Sequence, residues 1–281
     1  MDTPKIQVGI FDSGVGGLSV LREIRHLIPA QPLIYLADQD HVPYGPRPLE
    51  EVRAFSEAVT RFLLAEGAGL IVVACNAASA AALYKLRERF PETPFVGMEP
   101  AVKPAAESTR SGKVGVLATP ATFQGMLYAS LVDRFANDIQ IYQDTCSGLV
   151  PAIEAGQLDG AETRRILEQA ILPMLADGVD TLVLGCTHYP FVIPLIRKIT
   201  GEDVRIIDPA PAVARQTRRL LERHGVLVEG DLPGRVQYFT SGHPETLKSL
   251  LKVLLDDPAE VEQAVWTDSP LRLVRENPSP T

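Results

Sequence analysis

Leu70-Ile71-Val72-Val73-Ala74-Cys75 is a continuous apolar run that ends in a cysteine, and Leu182-Val183-Leu184-Gly185-Cys186 repeats the pattern 111 residues further along (186 − 75 = 111). Runs that are apolar at every position are typical of parallel strands covered by helices on both faces. Between such runs lie longer segments whose apolar residues recur every three or four positions, which predicts helical crossovers. The sequence therefore predicts an α/β fold with parallel sheets.

The predicted elements alternate along most of the chain. The predicted strands are Ile6–Phe11, Leu33–Ala37, Leu70–Ala74, Phe95–Met98, Val114–Ala118, Ile139–Tyr142, Thr181–Gly185, Val204–Ile207 and Val236–Phe239. The predicted helices include Leu49–Glu66, Ala78–Phe90, Thr122–Phe135, Glu162–Ala176, Ala212–Arg223 and Glu245–Leu255.

Four landmarks of the first half recur in the second half in the same order. They are Val8-Gly9-Ile10 with Val114-Gly115-Val116, Ile34-Tyr35 with Ile141-Tyr142, the two cysteine-ended runs, and Glu99-Pro100-Ala101 with Asp208-Pro209-Ala210. Their offsets lie between 106 and 111 residues, which favours duplication over chance resemblance. If a pseudo-two-fold axis relates the halves, Cys75 and Cys186 reach one ligand from opposite sides of a cleft.

The two acidic-Pro-Ala sequences are interpreted as crossings between the halves, because proline restricts its predecessor to extended conformations. This predicts two pseudo-symmetric three-layer α/β domains, with residues 1–99 plus 209–281 in the first and residues 100–208 in the second. The residues after Asp208 are too few for a third comparable domain, so we expect them to pack onto the first half. We expect the active site in the cleft between the domains, at the carboxyl ends of the strands.

The composition narrows the class of protein. Of the 281 residues, 46% are hydrophobic and 22% are charged, and the formal net charge is −8 with acidic and basic residues intermixed. This argues against nucleic acid or an anionic membrane as a partner. No stretch approaches the ~18 apolar residues of a membrane span, and residues 1–5 contain no apolar signal core, so we expect a cytoplasmic protein whose three cysteines are free.

The two strand-end cysteines are followed by polar residues, Asn76 after Cys75 and Thr187-His188 after Cys186. A thiol at the start of a helix lies near free backbone N–H groups, so we expect the pKa of both thiols to fall below the usual value of about 8.5. A role as a small buried hydrophobe would leave the polar followers unexplained at both sites. We therefore predict proton transfer by Cys75 and Cys186, and leave Cys146 open to a structural role.

The loop Asp12-Ser13-Gly14-Val15-Gly16-Gly17 follows the first strand and precedes a helix, where its backbone N–H groups are expected to bind a carboxylate. A dinucleotide-binding fingerprint would need glycine at the position of Ser19, and Asp12 would repel a pyrophosphate. Asp12 is predicted either to cap the following helix or to support catalysis, and the sequence leaves both roles open.

Between about residues 6 and 225 the chain resembles the bacterial glutamate racemases. The motifs that carry the resemblance are Asp12-Ser13-Gly14-Val15-Gly16-Gly17, Pro43-Tyr44-Gly45, Ala74-Cys75-Asn76, Glu99-Pro100 and Leu184-Gly185-Cys186-Thr187-His188-Tyr189-Pro190. The resemblance implies a two-domain racemase in which Cys75 takes the α-proton of D-glutamate and Cys186 that of L-glutamate. It implies no pyridoxal phosphate or other cofactor and no metal. It also implies a supply of D-glutamate for peptidoglycan, and a homodimer is expected.

The same resemblance assigns the remaining site residues. It implies that Asp12 supports Cys75 and that His188 and Glu154 support Cys186, although His188 is also placed to cap a helix and Glu154 to be a surface carboxylate. The implied substrate contacts are Asp12, Ser13, Tyr44, Gly45, Asn76, Ala77, Thr119, Thr122, Thr187 and His188. Ala77 departs from the family pattern, which usually has threonine there and uses its hydroxyl on the substrate carboxylate. Ser147 departs as well, since proline usually follows the cysteine at Cys146.

Other functions remain alternatives. The Gly185–Pro190 segment disfavours an aspartate or hydantoin racemase and a one-cysteine decarboxylase of the same superfamily. A non-catalytic amino-acid-binding or partner-binding homologue would fit the loss of the hydroxyl at Ala77, but the intact cysteine pair argues against it. A thiol redox protein would need a resolving cysteine close in sequence, whereas Cys75 and Cys186 are far apart.

Overall fold

The structure is a computed structural model that describes residues 6–99, 101–135, 138–230, 232–268 and 271–276. Its strands are β1 (Gln7–Asp12), β2 (Leu33–Ala37), β3 (Ala68–Val73), β4 (Phe95–Gly97), β5 (Lys113–Ala118), β6 (Gln140–Asp144), β7 (Thr181–Gly185), β8 (Arg205–Ile207), β9 (Val236–Thr240), β10 (Val261–Asp268) and β11 (Leu271–Arg275). Its α-helices are α1 (Leu18–Leu27), α2 (Leu49–Ala65), α3 (Asn76–Arg89), α4 (Val102–Ser108), α5 (Pro120–Gln124), α6 (Met126–Phe135), α7 (Leu149–Glu154), α8 (Ala161–Ala176), α9 (Ile193–Thr200), α10 (Ala210–Arg223) and α11 (Pro244–Leu255). A 3₁₀ turn, Tyr189–Val192, precedes α9.

The strands form two sheets whose centres have the same topology. The first sheet has the order β11-β10-β9-β2-β1-β3-β4 and the second has the order β6-β5-β7-β8. Strands β2-β1-β3-β4 therefore correspond one for one to β6-β5-β7-β8, and every pair among them is parallel. The prediction of duplicated, parallel α/β halves is confirmed, and it places the ends of β3 and β7 at equivalent positions.

Both faces of the sheets are covered, as the continuous apolar strands require. In β2, Leu33 and Tyr35 pack into one hydrophobic cluster, whereas Ile34 and Leu36 pack into another. Because side chains alternate between the two faces of a strand, these clusters lie on opposite sides of the sheet. Helices fill both sides, which gives the three-layer arrangement predicted from the sequence.

The predicted strands are all present, and their ends differ from the prediction by no more than two residues. The predicted helix Thr122–Phe135 is wrong in one respect, because Gly125 interrupts it between α5 and α6 with an extended backbone (φ −70°, ψ 136°). A Cβ at Gly125 would lie 2.8 Å from the Cβ of Ala80, so glycine allows the break to pack closely on α3. Such tertiary contacts override a helical pattern that continues in the sequence.

The structure has a hairpin, β10–β11, after β9, where the sequence pattern predicts no strand. β9 pairs in parallel with β2, β10 continues the first sheet, and β11 adds an antiparallel edge. The residues after Asp208 therefore pack onto the first half. The domain crossings at residues 99/100 and 208/209 stay a prediction. Pro100 and residues 1–5, where no signal core is expected, lie outside the described residues.

The described helices are too short or too polar to cross a lipid bilayer.

Candidate functional site

A cavity lies where the strand ends of the two sheets meet. Together with the part that opens to solvent, it encloses about 270 Å³. All but one of the lining residues lie at or just after the carboxyl ends of β1, β2, β3, β5 and β7, and the remaining one, Val150, belongs to α7. They are Asp12, Ser13, Pro43, Tyr44, Gly45, Cys75, Asn76, Ala77, Thr119, Val150, Cys186, Thr187 and His188. The two cysteines predicted to act together thus reach one cavity from opposite domains.

Cys75 stands between β3 and α3 and is buried. Its sulfur accepts a hydrogen bond from the backbone N–H of Ala78 (3.5 Å) and lies 4.0 Å from the Ser13 hydroxyl oxygen. Burial raises the pKa of the Cys75 thiol well above its ordinary value, and the neighbouring Asp12 charge raises it further. The prediction that the helix start lowers this pKa is wrong for Cys75, because the N–H groups of the loop and helix do not offset desolvation.

Asp12 ends β1 and is fully buried beside Cys75. Its Oδ2 accepts a hydrogen bond from the backbone N–H of Gly17 (2.8 Å), whereas Oδ1 has no hydrogen-bond partner among the described residues. Burial raises the pKa of Asp12, although the nearby positive charge of His188 opposes the shift. The helix-cap interpretation is not supported, since α1 begins at Leu18 and Gly17 occupies the N-cap position.

Cys186, His188 and Glu154 form a hydrogen-bonded series in the second domain. The sulfur of Cys186 lies 3.7 Å from His188 Nδ1, and His188 Nε2 lies 2.6 Å from Glu154 Oε1. Burial alone would lower the pKa of His188, but its hydrogen bonds to Cys186 and Glu154 raise the pKa well above 6.5. Burial likewise opposes the charge on Glu154, yet contacts with His188 and the Val15 N–H hold the pKa of that carboxyl below its ordinary value.

This geometry bears on the other roles considered for His188, a helix cap, and for Glu154, a surface carboxylate. His188 precedes the 3₁₀ turn but makes no side-chain cap, and its ring is committed to Cys186 and Glu154. Glu154 ends α7 with a side chain that is only 13% exposed, so it is not an ordinary surface carboxylate. The Cys146-Ser147 departure does not displace Glu154 from His188.

The backbone N–H groups of the glycine-rich loop, residues 12–17, donate to carboxylates of the protein itself. The N–H of Val15 donates to Glu154 Oε1 (2.7 Å), and the N–H of Gly17 donates to Asp12. A Cβ on Gly14 would overlap the Glu154 carboxylate, and one on Gly16 would overlap the His188 ring. These glycines are needed because the loop of the first domain packs directly on the second.

The predicted substrate-contact residues line the cavity, with Thr122 as the exception. Thr122 is buried behind Thr119, and their hydroxyl oxygens are 3.2 Å apart. Tyr44 lines the cavity, but its hydroxyl donates a hydrogen bond to Asp38 (2.6 Å). Both side-chain polar atoms of Asn76 are buried without hydrogen-bond partners among the described residues. Unpaired buried amide groups are costly, and a polar ligand in the cavity would pair them.

Several supporting residues were not found by sequence reasoning. Gln39 Nε2 donates to Glu154 Oε2 (3.4 Å), and Ser19 donates to the carbonyl of Thr187 (2.9 Å) across the domains. Gln39 follows β2 at the same sheet edge as Asp12, and that placement was the available signal. Pro43 and Val150 add apolar wall to the cavity. Cys146 is buried outside the lining, and its backbone has a positive φ of 44°.

Within the described ranges, no three His, Cys, Asp or Glu side chains are grouped as a metal site would require.

Comparison with known proteins shows which family the chain belongs to. The model of the Asp/Glu/Hydantoin racemase family matches residues 12–217. The chain is 50% identical over 261 residues to the glutamate racemase of Ectopseudomonas mendocina, which covers 93% of this chain and 99% of that relative.

Two solved structures show the same fold. The glutamate racemase isoform RacE1 from Bacillus anthracis superposes with a TM-score of 0.84 at 33% identity, covering 93% of this chain and 98% of that one. The Escherichia coli glutamate racemase, solved with L-glutamate and the activator UDP-MurNAc-Ala, gives a TM-score of 0.81 at 34% identity and covers 98% and 100% of the two chains. The chain therefore belongs to the Asp/Glu/Hydantoin racemase family, within its glutamate racemase branch, and is an amino-acid racemase, an isomerase.

Proposed function

We propose that this protein interconverts L- and D-glutamate by two-base proton transfer between Cys75 and Cys186, without a cofactor. The observation that carries the proposal is the pair of buried thiols, which follow equivalent strands of two duplicated domains and line one cavity. The names of relatives about 50% identical to this chain support glutamate as the substrate.

The reaction needs one base and one acid on opposite faces of the α-carbon. A thiolate on one face removes the α-proton, the bond electrons stay on the α-carbon, and the thiol on the other face donates its proton to that carbon. The number of protons on the protein is unchanged, but the two sulfurs have exchanged protonation states. In this proposal Cys186 removes the proton of L-glutamate and Cys75 that of D-glutamate.

The surroundings of Cys75 favour the protonated thiol at rest, because burial and the Asp12 charge raise the pKa of Cys75. This suits the donor role of Cys75 when L-glutamate is the substrate. In the reverse direction, we propose that Asp12 accepts the proton of the Cys75 thiol. Burial raises the pKa of Asp12, which makes its carboxylate a stronger base.

The side chain beside Cys186 is a histidine that carries positive charge. Because the pKa of His188 is raised, the imidazolium persists at neutral pH with Nδ1 3.7 Å from the sulfur. Glu154 stabilises that imidazolium from the other side of the ring. We propose that His188 and Glu154 support Cys186 as the base for L-glutamate.

Substrate binding is proposed to use the polar groups of the cavity wall. The unpartnered amide of Asn76 offers both a donor and an acceptor, and Asp12 Oδ1 offers an acceptor to an α-amino group. Ser13, Thr119 and Thr187 add hydroxyl groups, and Gly45 adds backbone. Tyr44 contributes its ring, Thr122 acts through Thr119, and Ala77 contributes only a methyl group.

We extend the proposal to the cellular role, as a cytoplasmic enzyme that supplies D-glutamate for peptidoglycan and works as a homodimer. The cellular role rests on the resemblance to glutamate racemases.

The homodimer is supported by two exposed apolar side chains. Tyr84 and Met126 are 71% and 87% exposed beside one groove between α3 and α6. Sedimentation equilibrium at micromolar concentration should give twice the 30.5 kDa chain mass.

The two-cysteine mechanism predicts that Cys75→Ala and Cys186→Ala each lower racemisation by about 10²–10⁴-fold, the usual contribution of a positioned acid or base. The assay follows optical rotation and α-deuteration of L-glutamate in D₂O, without pyridoxal phosphate and with a metal chelator; L-aspartate serves as the competing substrate. Cys146→Ala is the matched control and should keep wild-type turnover, since Cys146 does not line the cavity. Unchanged turnover in either active-site variant would exclude the mechanism.

Glu154→Gln should lower the pKa of His188, because the variant removes the negative charge that stabilises the imidazolium. With its raised pKa, His188 stays charged from below pH 6.5 up to that higher value and loses its charge as the pH rises through it. The alkaline limb of kcat/KM should therefore move to lower pH in the variant.

Either enantiomer serves for this measurement, because an equilibrium constant of one makes kcat/KM equal in the two directions. NMR titration of the His188 ring gives the pKa directly. Glu168→Gln is the control, since Glu168 pairs with Arg164 on the exposed face of α8. A His188 pKa unchanged by Glu154→Gln would contradict the proposed role of Glu154.

Ala77→Thr should lower the KM for glutamate by about twofold to tenfold, with a smaller change in kcat. Ala77 lines the cavity in the first turn of α3, so a hydroxyl there can donate to a substrate carboxylate, and one such bond contributes about 0.5–1.5 kcal/mol. Steady-state kinetics in both directions provide the measurement. An unaltered KM would mean that another group already fills this role.

A further inference from the structure

Asp38 follows β2 and is fully buried, yet it lies outside the cavity lining. Its carboxylate accepts side-chain hydrogen bonds from Tyr44 Oη (2.6 Å), His41 Nδ1 (3.0 Å), Ser241 Oγ (2.7 Å) and Trp266 Nε1 (2.7 Å). Hydrogen bonds to a charged acceptor are stronger than neutral ones, and a fully satisfied buried network rigidifies the groups that form it. The carboxylate therefore fixes these four side chains relative to one another.

The four donors come from two separate parts of the chain. Ser241 follows β9 and Trp266 lies on β10, both outside residues 12–217 that match the family. His41 and Tyr44 belong to the loop between β2 and α2, which we call the cavity loop (residues 41–45). Through Asp38, the carboxy-terminal segment is thus joined to the loop that carries Pro43, Tyr44 and Gly45 to the cavity.

Ring packing adds a second connection between the same parts. The His41 ring stacks on Phe55 with centroids 3.8 Å apart and meets the edge of Trp266 at 4.9 Å. Phe55 and Trp266 are also in contact, with centroids 5.6 Å apart. Trp266 therefore holds the cavity loop by its indole N–H and by its ring.

The other end of the cavity loop contacts the second domain. The carbonyl of Gly45 accepts a hydrogen bond from the N–H of Ala121 (3.0 Å), at the start of α5. A Cβ on Gly45 would lie 2.8 Å from the Cβ of Thr119, which lines the cavity. A shift of the loop would therefore change both the cavity wall and its closure against the second domain.

We propose that Asp38, Ser241 and Trp266 are positioning residues, which hold the cavity loop against the second domain and so set the affinity for the substrate. Asp38, Ser241 and Trp266 do not line the cavity, so their effect on substrate affinity is transmitted through Tyr44, which does. The effect on substrate affinity rests on the proposed function, whereas the mechanical linkage does not.

The decisive variant is Trp266→Phe, which keeps an aromatic ring against His41 and Phe55 but removes the indole N–H. The KM for glutamate should rise about threefold to tenfold with kcat changed less than about twofold, the loss expected for one hydrogen bond that positions the cavity loop. Val265→Ala is the matched control, because Val265 is the adjacent β10 residue and is 37% exposed; its KM should equal that of the wild type. Ser241→Ala, which removes another hydrogen bond to Asp38 Oδ1 without altering a ring, should raise KM in the same way and replaces Trp266→Phe if that variant fails to fold.

A double-mutant cycle distinguishes positioning from general damage. Tyr44→Phe removes one of the two donors on the loop side of Asp38, the one whose ring lines the cavity. It should therefore raise KM, and Trp266→Phe should raise KM less in this variant than in the wild type. Fully additive effects would overturn the proposal, because independent contacts do not share a linkage.

Hydrogen exchange of the substrate-free protein tests the linkage without activity. Amides of residues 39–47 should exchange several-fold faster in Trp266→Phe than in Val265→Ala, while those of β5 and β7 stay protected. Unchanged exchange in the loop would overturn the proposal, as would faster exchange without a rise in KM. If the wild-type protein does not racemise glutamate, the proposed function fails, and the exchange experiment alone decides the linkage.

Discussion

The Glu154 carboxylate is the contact on which the site depends, because it is shared by the two domains. It accepts one hydrogen bond from His188 in its own domain and one from the backbone N–H of Val15 in the other. The same contact explains the glycines at positions 14 and 16, where side chains would overlap Glu154 and His188. A motif that suggests a phosphate loop in isolation is thus a surface shaped to receive a charged pair from the opposite domain.

Duplication brings two equivalent thiols to the cavity, but it does not give them equivalent surroundings. Cys75 lies beside an acidic partner, and burial with that charge favours its protonated form. Cys186 lies beside an imidazole whose raised pKa keeps positive charge near the sulfur. The two-base reaction that we propose needs one group protonated and the other not, and this asymmetry of charge fits that need in a fold of nearly symmetric halves.

The fold and the cysteine pair were predictable because their signals are local. Apolar runs that end in cysteine mark strand ends, and equal offsets mark the repeat. The pKa of Cys75 was not predictable, since the sequence shows the helix start but not the depth of burial that outweighs it. Asp38 was missed because its partner Trp266 is 228 residues away, and β10 mixes Glu262, Gln263 and Thr267 with its apolar residues, so no continuous run signals a strand.

The two halves also differ because the sheet of the first domain contains more strands than the sheet described for the second. β9, β10 and β11 extend only the first sheet, and they supply Ser241 and Trp266 to Asp38. In the second sheet β6 is the edge strand, and no strand of the described residues pairs with its outer side. Support from the extension reaches the cavity loop through the Asp38 carboxylate and through the ring contact of Trp266 with His41. It reaches Glu154 through Gln39, which also accepts a hydrogen bond from Thr240 of β9. An added edge of the sheet, remote in sequence from both cysteines, is thereby connected through Asp38 to the cavity loop and through Gln39 to Glu154.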